Sequence, residues 1–268
     1  LLPVIGAGLD LSYLSVIFGI FYDINDKVKV VASWSSGFSV GNVLRTIGGL
    51  RPRTPSASSV TFDVGDLGEF TEAIKVDSYE AGVRFDNDVV SASLAGFYSS
   101  SDLGATFDAV TLEVVRAPER IWGLEAVLDV NVSEKLRIGG SFSVQDSKTD
   151  GDNDGTFDGP LDFSRVPPAS LLAHVEYEFF EGWTARVQSR TLFDESRFTA
   201  PFDTFQRDAE GYTLLDLAIS GPILGGTISL GVENLLNKQY FPLATLMNCA
   251  DDVIVDSFCA TTAPGARG

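Results

Sequence analysis

The sequence predicts an all-β fold: a transmembrane antiparallel up-and-down β-barrel, incomplete, with about ten strands of a larger barrel. Three observations carry this expectation. Apolar and polar residues alternate with a period of two along many separate stretches. The connections between those stretches alternate between short and long. No window of about 18 or more purely apolar residues exists, so no helical membrane span is available. A barrel hides its membrane signal in alternation, which is weak per segment and persuasive only by repetition.

The strands are expected at 13–24, 27–40, 74–86, 88–100, 120–131, 134–146, 168–179, 182–193, 211–220 and 226–236. Side chains of a strand point to opposite faces in turn. In 27–40, Val28, Val30, Ala32, Trp34 and Phe38 share one face, while Lys27, Lys29, Ser33, Ser35 and Ser39 share the other. In 74–86, Tyr79, Ala81, Val83 and Phe85 oppose Ser78, Glu80 and Arg84. In 120–131, Trp122, Leu124, Ala126, Leu128 and Val130 oppose Glu125 and Asp129. Leu136, Ile138, Phe142 and Val144 then oppose Lys135, Arg137, Ser141 and Gln145. Leu171, Ala173, Val175 and Tyr177 oppose His174, Glu176 and Glu178, and Trp183, Ala185 and Val187 oppose Arg186, Gln188 and Arg190. Ile228, Leu230 and Val232 oppose Thr227, Ser229 and Glu233. Most of these stretches match the roughly 9–11 residues of a membrane-crossing strand.

Short turns are expected at Asn25-Asp26, Asn87, Ser133, Glu181 and Pro222 to Gly225. Long loops are expected at 41–73, 101–119, 147–167, 194–210 and 237–268. Outer-membrane barrels pair short periplasmic turns with long extracellular loops, whereas a sandwich has no reason to gather every long loop at one end. Strand 13–24 then runs inward and 226–236 outward, so one more inward strand is expected to follow. Tyr22, Phe38, Tyr98, Phe179, Phe180 and Trp183 near strand ends suit interfacial girdles, although aromatics also favour strands in general. An open sheet leaves unpaired edges that lipid does not tolerate, so upstream strands are expected too. The start at Leu1 without Met and without a signal peptide fits a segment of a longer chain.

A net charge of −18 argues against nucleic-acid binding, which requires a basic face. The acidity gathers in loop-like stretches, Asp146 to Asp162 and Asp251 to Asp256, as solvated surface does. Cys249 and Cys259 share one polar, turn-rich stretch and read as a loop disulfide in an oxidising compartment. Asp150, Asp152 and Asp154, with Gly155 next, resemble the start of a calcium loop that also holds Asp158. Leu161 stands where the bidentate Glu belongs, so an acidic loop without metal is the competing reading and no other cofactor is expected.

The stretch Gly231-Val-Glu-Asn-Leu-Leu-Asn-Lys-Gln-Tyr240 closely resembles the penultimate-strand signature of TonB-dependent receptors. Further stretches resemble that family in family order. They are Tyr22-Asp-Ile-Asn-Asp-Lys27 with Ser33-Trp-Ser-Ser-Gly-Phe38, Val76 to Phe85, Arg116 to Glu125, and Gly211-Tyr-Thr-Leu-Leu-Asp-Leu217. The resemblance implies that residues 1–268 are the C-terminal portion of a receptor barrel of about 22 strands, with the plug, the TonB box and the last strand outside this sequence. It implies a location in the bacterial outer membrane, a ferric siderophore as cargo, and coupling to the TonB–ExbB–ExbD complex through the plug. The polar-face charges Glu80, Arg84, Glu125, Arg137 and Arg190 would then face that plug.

Cargo is less legible. Haem receptors of the family show Phe-Arg-Ala-Pro and loop histidines, whereas this chain reads Gly37-Phe-Ser-Val-Gly-Asn-Val43 and has a single, mid-strand histidine, His174. Ferric siderophores are often anionic and aromatic, which Arg and aromatic side chains bind. The loop candidates are Arg45, Arg51, Arg53, Arg197, Phe198, Phe202, Phe205 and Arg207, each of which also reads as an ordinary loop residue. No Gly-x-Ser-x-Gly elbow is present and His174 lacks a triad context, so an enzyme is not expected. A passive porin, a receptor for cobalamin, haem or carbohydrate, and a soluble β-sandwich are the alternatives.

Overall fold

Alternation alone fixes which side chains share a face; the pairing register fixes which of them meet. The computed structural model describes residues 14–40, 73–108, 113–151, 154–161, 163, 165–198 and 206–242. Ten strands form one antiparallel sheet. They are β1 (Val16–Asp23), β2 (Val28–Val40), β3 (Ala73–Asp86), β4 (Val90–Asp108), β5 (Glu113–Asn131), β6 (Leu136–Thr149), β7 (Ser170–Phe180), β8 (Trp183–Leu192), β11 (Tyr212–Ile223) and β12 (Gly226–Val232). Each pairs with its neighbour in the chain, except that β8 pairs directly with β11. Between those two, β9 (Glu195–Phe198) and β10 (Gln206–Ala209) form a separate hairpin.

All ten expected strands are present, with three corrections. The expected loop 101–119 is mostly strand, because β4 continues to Asp108 and β5 already begins at Glu113. A register shift between Ser101 and Gly104 absorbs the Ser-Asp-Leu-Gly break in alternation, so a bulge replaces the loop that this composition suggests. The expected loop 194–210 contains the β9–β10 hairpin. The last strand ends at Val232, because Asn234 folds the chain into a turn.

The short turns follow one device. Asn25 Oδ1 accepts the N–H groups of Lys27 and Val28, both at 2.9 Å. Asn87 Oδ1 accepts those of Val89 and Val90 at 2.9 and 2.6 Å. Ser133 Oγ accepts those of Lys135 and Leu136 at 3.3 and 3.1 Å. A short polar side chain thus stands in for a backbone acceptor two and three residues on, which is why Asn and Ser occupy these positions. At the β11–β12 turn, Leu224 and Gly225 both have positive φ, 47° and 80°. That conformation matches the strand twist of a tight hairpin.

The two faces are chemically distinct. Phe18, Trp34, Tyr79, Tyr98 and Trp122 are successive cross-strand partners and form one aromatic rung across β1 to β5. Toward the short turns this face stays apolar, and its residues are uncovered: Leu128 is 50% exposed, Val175 45% and Val187 40%. Water penalises such a continuous apolar band and hydrocarbon does not, so this is the lipid-facing surface. The opposite face carries Glu80, Arg84, Glu125, Arg137 and Arg190, which the pairing register places together. Among the described residues few apolar side chains are buried in protein, and Leu161, Phe163, Val166 and Ala209 of these lie at the long-loop end.

Candidate functional site

The long-loop end is built around Arg197. This residue sits in β9 and is only 5% exposed. Its Nη1 donates to the carbonyls of Leu161 and Val166 at 2.8 and 2.7 Å. Its Nε donates to Glu195 Oε1 at 2.8 Å, and its Nη2 lies 2.7 Å from the same oxygen. The guanidinium also stands 4.6 Å from the Phe163 ring centroid. Arg197 therefore holds the loop after β6 against the β9–β10 hairpin. An Arg fork can satisfy two carbonyls and a carboxylate at once, which a Lys cannot.

The same loop is tied to the barrel wall at its other side. Glu119, where the β5–β6 pairing begins, is 3% exposed and forms a two-pronged ion pair with Arg165. Thr149 Oγ1 donates to Pro118 O at 3.1 Å, and the Leu161 N–H donates to Ser147 Oγ at 3.1 Å. Asp150, 3% exposed, accepts the N–H groups of Asp154 and Gly155 at 3.1 and 2.9 Å. Its carboxylate thus closes the turn of the acidic loop. Asp154 and Asp158 are exposed, and Asp152 lies outside the described residues. Among the described residues no group of three or more His, Cys, Asp or Glu is placed to hold a metal.

Below the loops, the inner wall carries a concavity of about 500 Å3 lined by Glu125, Ser143, Arg190, Tyr212, Leu214 and Tyr240, among others. The Tyr212 and Tyr240 rings stand 4.4 Å apart. Arg190 Nε donates to Asp216 Oδ2 at 3.0 Å, which fixes one cation beside the two phenols. Further down the wall, Asp129, Gly139 and His174 are cross-strand partners on one rung. A side chain at Gly139 would collide with both the Asp129 carboxylate and the His174 ring, so glycine is what lets His174 Nε2 reach Asp129 Oδ1 at 3.5 Å. Arg186 pairs with Glu176 at 3.8 Å one rung closer to the short turns. This wall carries charges and hydroxyls interspersed with the apolar side chains of Val127, Leu172 and Leu214.

The expected site residues divide accordingly. Arg197 is found as a buried clasp. Phe198 and Arg207 are placed in β9 and β10, where Arg207 is the register partner of Arg197. Arg45, Arg51, Arg53, Phe202, Phe205, Cys249 and Cys259 lie outside the described residues. Glu119, Arg165, Asp216, Tyr212 and Tyr240 escape sequence reading, because each is one charge or aromatic among many until the fold gives it a partner. Glu119, Tyr212, Asp216 and Tyr240 carry a local signal, since all four lie in stretches that resemble the receptor family, whereas Arg165 carries none.

An apolar outer band, a charged inner wall and clasped loops at one end define a sector of a membrane-spanning β-barrel. The chain belongs to the family "TonB dependent receptor-like, beta-barrel", whose model matches residues 12–235. Proteins of this family reside in the bacterial outer membrane. The chain is similar to the ferric aerobactin receptor of Escherichia coli, 33% identical over 171 residues, covering 63% of this chain and 22% of that protein. It is also similar to the rhizobactin receptor of Rhizobium meliloti (strain 1021), 26% identical over 140 residues, covering 49% of this chain and 18% of that protein. The chain thus spans about a fifth of the length of these curated relatives.

Solved structures share the fold. The copper transporter OprC superposes with a TM-score of 0.66 at 17% identity, covering 84% of this chain and 34% of that one. The ferripyoverdine receptor of the outer membrane of Pseudomonas aeruginosa gives 0.60 at 19% identity, covering 84% and 29%. The ferric citrate transporter FecA gives 0.60 at 16% identity, covering 85% and 34%. Fold alone does not select a cargo, since a copper transporter superposes as well as the iron receptors do.

Proposed function

We propose that residues 1–268 are the C-terminal portion of the barrel domain of a TonB-dependent receptor that takes up ferric siderophores. The observation that supports this cargo is the 33% identity with the ferric aerobactin receptor over 171 residues. The geometry is compatible in chemistry. Arg190, Tyr212 and Tyr240 offer a cation and two phenols to an anionic, oxygen-rich ligand passing along the inner wall. Arg45, Arg51, Arg53, Phe198, Phe202, Phe205 and Arg207 would supply cations and rings to such a ligand, and Arg197 ties the β9–β10 hairpin, which holds Phe198 and Arg207, to the loop after β6. A Cys249–Cys259 disulfide would close the last long loop, and Ca2+ at Asp150, Asp152, Asp154 and Asp158 would rigidify another. Energy would come from the TonB–ExbB–ExbD complex acting through a plug inside the barrel. Strands β1 and β12, at the sheet edges among the described residues, would pair with further strands of that barrel.

The test is uptake of radiolabelled iron by receptor-deleted cells that carry the full-length protein. Ferric aerobactin-type chelates should enter, and only when TonB is present. Entry that persists without TonB would favour a passive pore, and failure of every ferric chelate would favour another cargo.

A further inference from the structure

The aromatic rung on the outward face marks a boundary. Two residues further from the short turns, the next rung of the same face reads Ser36, Asp77, Ser100, Arg120 and Lys148. Apolar and aromatic side chains give way there to charged and hydroxyl groups, at the level where hydrocarbon gives way to headgroups. Arg120 and Lys148 are direct cross-strand partners on this rung, and both are exposed. Such partners stand about 4.5–5.5 Å apart at Cβ, and like charges placed so repel each other. Lys148 has no ion pair among the described residues. The Arg120 guanidinium is held 3.6 Å over the Phe157 ring, which orients its donors without neutralising them. Carboxylates also stand near this rung: Asp146, the direct cross-strand partner of Trp122, lies two residues before Lys148, and exposed Asp102 lies two residues after Ser100. Asp77 pairs with Lys75 at 3.3 Å, and Asp146 accepts the Ser147 N–H at 2.7 Å.

We infer that Arg120 and Lys148 form a binding site on the outside of the barrel for the phosphate of an anionic lipid headgroup. A phosphate between them converts the repulsion into two charge-assisted contacts, with Arg supplying a fork and Lys a point charge. Trp122, directly below Arg120 on the same strand and face, would rest at the acyl boundary under that headgroup. This site is independent of the cargo, because it lies on the face opposite the inner wall.

The test uses the full-length receptor in a neutral detergent, with lipid binding read by native mass spectrometry. Diphosphorylated lipid A should bind, and dioleoyl phosphatidylcholine should not displace it. R120Q/K148Q should weaken lipid A binding by about tenfold or more, the loss expected for charge-assisted contacts. R120K/K148R, which keeps both charges, should retain most of it, and K135Q, at a short turn, should change nothing. Heat-modifiable migration of each variant verifies that the barrel is folded. Equal lipid A binding by wild type and R120Q/K148Q overturns the site. Displacement of lipid A by millimolar inorganic phosphate overturns it as well, because the pair is then a simple anion site rather than a headgroup site.

Discussion

Asp216 accepts the backbone N–H of Asn234 through Oδ1 at 2.9 Å, while its other oxygen accepts Arg190 Nε at 3.0 Å. One carboxylate on β11 therefore joins the wall strand β8 to the turn that ends β12. Asn234 completes that turn: its side chain accepts the Lys238 N–H at 2.9 Å and donates to the Lys238 carbonyl at 2.8 Å. Asn234 and Asn237 both have positive φ, 50° and 53°, a conformation that Asn tolerates better than other side chains. The motif Glu-Asn-Leu-Leu-Asn-Lys is thus a turn specified by hydrogen bonds.

Asp216→Ala should release both partners and leave Arg190 unpaired on the inner wall. A loss of roughly 1–3 kcal/mol in barrel stability is expected for an orphaned polar contact of this kind. Asp216→Asn, which keeps an acceptor for the Asn234 N–H, should lose less. Denaturant titration of the full-length protein in detergent, followed by heat-modifiable migration, orders the three proteins.

Arg197→Ala removes donors from two buried carbonyls and strands Glu195. Breaking a buried charge cluster by removing one partner costs about 3–5 kcal/mol locally. The loop 150–168 should become sensitive to limited proteolysis while the strands stay protected. Arg197→Lys should not restore protection, because one ammonium cannot reach all the acceptors. Unchanged cleavage in both variants would show that the clasp does not hold the loop.

Single cysteines at Leu124 and Glu125 test the register. The pairing puts Leu124 beside Gly96 on the apolar face and Glu125 beside Ala95 on the polar one. A lipid-soluble reagent should modify Leu124→Cys, and a charged maleimide should prefer Glu125→Cys. The reverse pattern would mean a register displaced by one residue, which exchanges the two faces along that strand.

Leu224 is fully solvent-exposed at φ 47°, ahead of Gly225 at φ 80°. Leu224→Asn supplies the residue this tight turn favours, and should stabilise the hairpin by about 0.5–1 kcal/mol. A lower thermal midpoint than wild type would count against the turn geometry.

Sequence by itself determined the strands, the faces and the family. Alternation with period two is a local property: each residue's face follows from its neighbours, so Trp122 to Val130 shows which side meets lipid. Asn25, Asn87 and Ser133 are likewise legible, because their hydrogen bonds reach only two or three residues along the chain. Tertiary structure decided what depends on partners distant in sequence. The bulge at Ser101 to Gly104 turned an expected loop into strand, because β5 offered a continuous ladder to pair with. Arg197 became a clasp because Leu161 and Val166, more than thirty positions earlier, present their carbonyls to it. Arg120 met Lys148, and Asp129 met His174, only through the pairing register. The physical reason is that a strand's own sequence fixes the direction of each side chain, whereas its neighbours across the sheet are set by which backbone hydrogen bonds close.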